Sequence, residues 1–122
     1  MKLKQALLAG AAVVLAAGGA SAQISGDVVK IGVLNDQSSL YADITGPGSV
    51  AAARLAVEDF GGTVNGKKIE IVFADHQNKP DVGSNIARQW MDRDGVDTIV
   101  DVPTSSVALA LAPLIKEKNK VF

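Results

Sequence analysis

The chain has 122 residues and no cysteine. Disulfide bonds are therefore excluded, and stability has to come from a packed core. Histidine occurs once, at His76, and no nucleophile or second metal ligand stands near it at a useful spacing. Five aromatic residues are present, Tyr41, Phe60, Phe73, Trp90 and Phe122, which gives thin support for a cleft that stacks sugars. No internal repeat and no low-complexity tail is evident. The longest apolar run, Ala6 to Ala17, falls short of the about 20 residues that a comfortable membrane span needs.

That run has a different use. Lys2 and Lys4 precede it, and Ala20-Ser21-Ala22 follows it. A basic start, an apolar centre and an A-x-A end predict a cleavable secretory signal over residues 1–22, with the mature chain starting at Gln23, outside the cytoplasm. The missing cysteine excludes a lipid anchor at the cleavage site. Residues 23–122 carry ten basic and thirteen acidic side chains, a net charge of −3. This balance gives no reason to expect nucleic acid or direct insertion into a membrane.

The remaining sequence alternates two hydrophobic periods. Val28–Leu34 is β-branched and nearly all apolar, as expected of a strand buried on both faces. Val50–Phe60 predicts a helix, with Val50, Ala53, Val57 and Phe60 on its inner face, stopped by Gly61-Gly62. After the turn signal Asn65-Gly66, Lys68–Ala74 predicts a second strand. A second helix opens at Lys79-Pro80-Asp81 with Asn78 as the expected N-cap; Val82, Ile86 and Trp90 face the core, and Asp94-Gly95 ends it. Val96–Val102 predicts a third strand and Ser106–Lys118 a third helix, bent at Pro113. Lys120-Val121-Phe122 reads as the start of a fourth strand, so the chain is expected to be the N-terminal part of something longer. The β-α-β-α-β-α order predicts an α/β fold: an incomplete, doubly wound parallel sheet with strand order 2-1-3.

In such a sheet, ligands bind beyond the carboxyl ends of the strands. The segments expected there are Asn35 to Tyr41, Asp75 to Asn78, and Asp101 to Ser106, all rich in hydroxyls and amides and poor in cations. Thr104, Ser105 and Ser106 open a helix whose first N–H groups have no internal acceptor. They can cap that helix, offer donors to a ligand carboxylate, or divide the two roles. Tyr41 either meets the ligand or packs against its own loop. His76 is expected to be a surface or loop-stabilising residue, and Trp90 a core residue. Gly46-Pro47-Gly48 has neither a dinucleotide nor a phosphate-loop spacing. Asp36 and Asp101 imitate the acidic placement of receiver domains, which an exported chain excludes. No cofactor and no metal is expected.

Taken together, these segments resemble the substrate-binding proteins of ABC importers, of the branched-chain amino acid (leucine-binding) type with the type I periplasmic binding protein fold. The resemblance spans the whole mature chain. It rests on Ser39-Leu40-Tyr41, Gly46 to Gly48, Ala56-Val57-Glu58, Asn65-Gly66-Lys67, Asp75-His76-Gln77, Pro80, Gly95-Val96-Asp97 and the run VDVPTSSVALALAPL. It implies that residues 23–122 are the first part of one of two lobes. A small polar solute (an amino acid, amide or carboxylic acid) would lie in the interlobe cleft for delivery to an inner-membrane permease. It further implies that Thr104, Ser105 and Ser106 grip a carboxylate, with Tyr41, Gln37 and Ser38 contributing from the first loop, and that the protein is not an enzyme. Asp101 and Pro103 depart from the small or apolar residues usual before the serine loop. The readings that compete are an exported α/β enzyme using Asp36, Asp75 or His76, and a ligand-sensing domain of the same fold.

Overall fold

A computed structural model describes residues 24–122. The leader read over residues 1–22, and Gln23, lie outside them. Strand β1 (Val28–Asn35) is central. It pairs in parallel with β3 (Lys67–Asp75) over its whole length and with the short β4 (Thr98–Val100) on its other side. The order β3-β1-β4 is the expected 2-1-3 arrangement. Val121, in the segment read as the start of a further strand, makes a single parallel bridge to Thr98. The two-residue strand β2 (Thr63–Val64) was not anticipated; it folds back antiparallel on Lys67 and Lys68 at the sheet edge. Its turn uses Asn65 and Gly66, both at positive φ (49° and 76°), the geometry whose twist suits a tight hairpin.

Three further boundaries differ from expectation. The helix α2 (Pro47–Phe60) begins before Val50, because Pro47 fits the first helical position, and a short helix α1 (Ala42–Thr45) precedes it. Helix α3 (Pro80–Gln89) is capped by Lys79 rather than Asn78. Pro80 forces its predecessor into extended backbone (Lys79 φ −118°, ψ 116°), which moves the cap along by one residue. The third strand is confined to Thr98–Val100. Asp101, at φ 56°, takes the chain out of the sheet before Val102. Helix α4 (Ser105–Glu117) runs through Pro113. The carbonyl of Leu109, deprived of its donor, lies on a face where both Leu109 and Pro113 are exposed, so water is at hand.

The two sheet faces are filled unequally. Gly32, Leu34, Val72, Ala74 and Ile99 share the face covered by α3 and α4. The core lies there, built from Leu34, Ala87, Trp90, Val96, Ile99, Val107, Leu111, Leu114 and Ile115. Trp90 ends α3 in a wide π-helical turn (Trp90–Asp94) and lies on Gly32, where a Cβ would stand 2.4 Å from its ring. Gly83 plays the same part between helices: its Cβ would meet the Val107 side chain at 2.7 Å, so that side chain of α4 sits directly against the α3 backbone. The opposite face carries only α2. Val33 and Val50 are buried there, while Phe60, expected to point inward, is 66% exposed. It rims an open apolar trough with Ile31, Ala53, Val57, Ile71 and Val100.

Gly32→Ala is expected to destabilise the fold by about 1–3 kcal/mol, because Trp90 must leave its rotamer or its place. Gly48→Ala, with open space around it in the first turn of α2, is expected to be neutral or mildly stabilising. Chemical denaturation of the two variants against the parent checks both.

Candidate functional site

The carboxyl ends of β1, β3 and β4 converge, and polar side chains stitch them together. Asn35, fully buried, donates through Nδ2 to the carbonyls of Thr45 and Gly46 and to Asp101 Oδ2 at 2.7 Å. Its Oδ1 accepts from Gln37 Nε2. Asp36, also buried, gathers the first loop: it accepts from the Ser39 amide (2.8 Å), the Ser39 hydroxyl (2.6 Å), the Tyr41 amide (2.9 Å) and, at 3.4 Å, the Ser38 amide. Burial alone pushes this carboxyl up. The Ser39 hydroxyl and the Tyr41, Ser39 and Ser38 amides outweigh it and hold the pKa down to about 2, from an ordinary 3.8. Asp75, at the end of β3, accepts from the Gln37 amide (3.0 Å), the Gln77 amide (2.8 Å) and the Ser38 hydroxyl (2.5 Å). Burial and the Asp36 charge raise its pKa, yet these donors, Ser38 first, leave it lowered.

This scaffold frames a cleft of about 610 Å³ lined by Tyr41, Ile44, Thr45, Asn78, Pro103, Thr104, Ser105 and Ser106. Four of the six residues singled out from the sequence, Tyr41, Thr104, Ser105 and Ser106, are thus brought to one cavity. Gln37 and Ser38 are not among its lining; their side chains are engaged with Asn35 and Asp75 beneath it. Ile44 and Thr45 were missed, because they belong to a one-turn helix too short to leave a periodic signal. Asn78 and Pro103 lie in segments expected at the strand ends but were not singled out as ligand contacts.

Thr104 is the N-cap residue of α4, but its hydroxyl makes no capping bond. Its Oγ1 is buried and has no partner among the described residues. The first N–H groups of α4 are likewise without intrahelical acceptors. Hydroxyls, free amides and the positive end of a helix dipole therefore face one side of the cleft. Tyr41, Ile44 and Pro103 supply carbon, and among the described residues no charged side chain lines the cavity.

His76 departs from one half of its expectation. It is fully buried rather than on the surface, and it does stabilise its loop: Nδ1 accepts the Asn78 amide at 2.9 Å. Burial lowers its pKa, against the pull of the Asp36 and Asp75 charges. Among the described residues no three His, Cys, Asp or Glu side chains gather to hold a metal, and no helix is long and apolar enough to cross a membrane.

Residues 28–122 match the family described as "Periplasmic binding protein". The chain belongs to this family. A periplasmic binding protein from Burkholderia mallei is 53% identical over 78% of the chain, with a TM-score of 0.75. A branched-chain amino acid ABC transporter periplasmic ligand-binding protein from Burkholderia xenovorans LB400 is 55% identical over 77%, with a TM-score of 0.74. A solute-binding protein of an ABC transporter from Rhodopseudomonas palustris BisB5, solved with 3,4-dihydroxybenzoic acid, is 30% identical over 75%, with a TM-score of 0.66. The chain spans about a quarter of the length of each (25%). No curated protein matches it. The fold is that of the type I periplasmic binding proteins, of which this chain represents a part, and the family implies a periplasmic location.

The stability that Asp36 contributes is expected in full above its ordinary 3.8 and to be lost as pH falls through its folded value of about 2. Melting curves of the parent and Asp36→Asn over that range check this: the gap between them should narrow in acid.

Proposed function

We propose that this chain is part of the extracytoplasmic solute-binding component of an ABC importer, and that it holds a small carboxylic acid for delivery to a permease. The observation that carries the reading is the rim of α4. Thr104 Oγ1, desolvated and unpartnered among the described residues, stands beside the Ser105 and Ser106 hydroxyls at a helix N-terminus. A buried polar atom left without a partner is unfavourable, and a ligand carboxylate resolves it while accepting the free amides.

The rest of the lining supports an acid with a flat or apolar body, to which Tyr41, Ile44 and Pro103 offer contact area. The binding of 3,4-dihydroxybenzoic acid by a relative supports the same class. Gln37 and Ser38 act through position: bonded to Asn35 and Asp75, they shape the loop that presents Tyr41. The binding and transport names of the matched relatives support a receptor without catalysis.

The protein with its cognate acid is expected to lose affinity at least tenfold on combining Thr104→Ala with Ser105→Ala. Each hydrogen bond to a charged group contributes about 1.5–3 kcal/mol. Calorimetric titration checks it, and unchanged affinity would reject the site. A thermal-shift series over 3,4-dihydroxybenzoate, benzoate and leucine is expected to favour the aromatic acids.

A further inference from the structure

His76 is not among the cleft-lining residues, yet it is tied to one of them. It follows β3 directly and is fully buried. The next two residues, Gln77 and Asn78, both hold positive φ (51° and 56°), a conformation that side-chain-bearing residues keep only when their surroundings impose it. Two bonds impose it here. The Lys79 amide donates to the His76 carbonyl at 2.8 Å, and the Asn78 amide donates to the His76 imidazole at Nδ1. Asn78 then forms part of the wall of the cleft, along with the α4 rim.

An imidazole that accepts at Nδ1 carries its proton on Nε2. Nε2 is buried and has no partner among the described residues. The ring is therefore in use as an acceptor only. A second proton can go only to Nδ1, where it meets the Asn78 N–H head-on, two donors and no acceptor. The surroundings of the ring are mixed. Asp36, from the loop after β1, and Asp75, from β3, favour the cation. Helix α3 presents Gly83 to the His76 Cβ, and α4 packs Val107 and Leu111 on the same spot. Lys79 and Asp81 flank the loop in sequence and are exposed, Lys79 donating to Gln77 Oε1 at 3.2 Å.

We propose that His76 is a positioning residue of the solute cleft: its neutral imidazole fixes the Asn78 wall by accepting the Asn78 amide proton, and protonation at Nδ1 releases that wall. This rests on the cleft being the solute site, but the latch itself is a property of the loop. Solute retention is then pH-dependent, tight when His76 is neutral and weakened in acid. The direction agrees with burial, which lowers the His76 pKa from 6.5 and so keeps the latch closed near neutrality.

The test follows hydrogen exchange of the Asn78 amide by NMR in the full chain, at about pH 8 and about pH 5, with the imidazole ¹⁵N shifts recording the protonation of His76. Protection, corrected for intrinsic rate, is expected to fall about tenfold or more as the ring gains its second proton. In His76→Asn the amide oxygen takes the place of Nδ1 and does not titrate, so protection is expected to persist at both pH values. Affinity for 3,4-dihydroxybenzoate is expected to drop in acid in the parent and to hold in His76→Asn. Protection that ignores the His76 titration, or ¹⁵N shifts that put the neutral proton on Nδ1, would overturn the proposal. If the variant does not fold, the two parent readings decide alone. The exchange arm needs no solute, so a protein that binds none of these acids refutes the proposed function separately from the latch.

Discussion

One buried carboxylate organises the functional end of the molecule. Asp36 closes β1 and immediately accepts four hydrogen bonds from the next five residues. An ionised group at a position without solvent contact persists only when its lone pairs are filled, and here they are filled by the loop it holds. The loop thus has one low-energy arrangement, and Tyr41 leaves it in a fixed direction. Asn35 and Asp75, on either side, extend the same logic to the neighbouring strands. Without these acceptors the strand ends would carry three separate loops rather than one cavity.

The same polar layer sets the chemistry of the cavity above it. Its carboxylates at Asp36 and Asp75 are spent on internal donors, and neither is among the residues lining the cavity. What reaches the cleft are hydroxyls and amide N–H groups, chiefly from the start of α4. The helix contributes through its backbone, which explains why a rim of Thr104, Ser105 and Ser106 can serve an anion with no lysine or arginine in the lining.

The parallel sheet, its strand order and the three principal helices were legible because each rests on a long periodic signal. Val28 to Leu34 and the Val107–Ile115 stripe are of this kind. The elements that escaped are short. Thr63-Val64 is too brief to alternate, and the turn Ala42–Thr45 has no apolar stripe. Local chemistry also outranked propensity: Pro80 displaced the cap from Asn78 to Lys79, and Asp101 ended β4 ahead of the apolar Val102. At the site, Thr104, Ser105, Ser106 and Tyr41 were legible from topology, since they follow strand ends. The burial of His76 was not, because it depends on how α3 and α4 pack over the end of β3 at Gly83, Val107 and Leu111, which no local pattern reports. Phe60 was misplaced for a related reason, as a helical stripe reports which side is apolar and not how much of it is covered.

The contact at Gly83 has a mechanical result. With the Val107 side chain seated directly on the α3 backbone at Gly83, α3 and α4 interlock and lie across the sheet as one stiff plank. The tip of that plank proposed to meet the solute is held in place by this packing. Little ordering entropy remains to be lost on capture, and a small molecule with few atoms can be held by a handful of contacts.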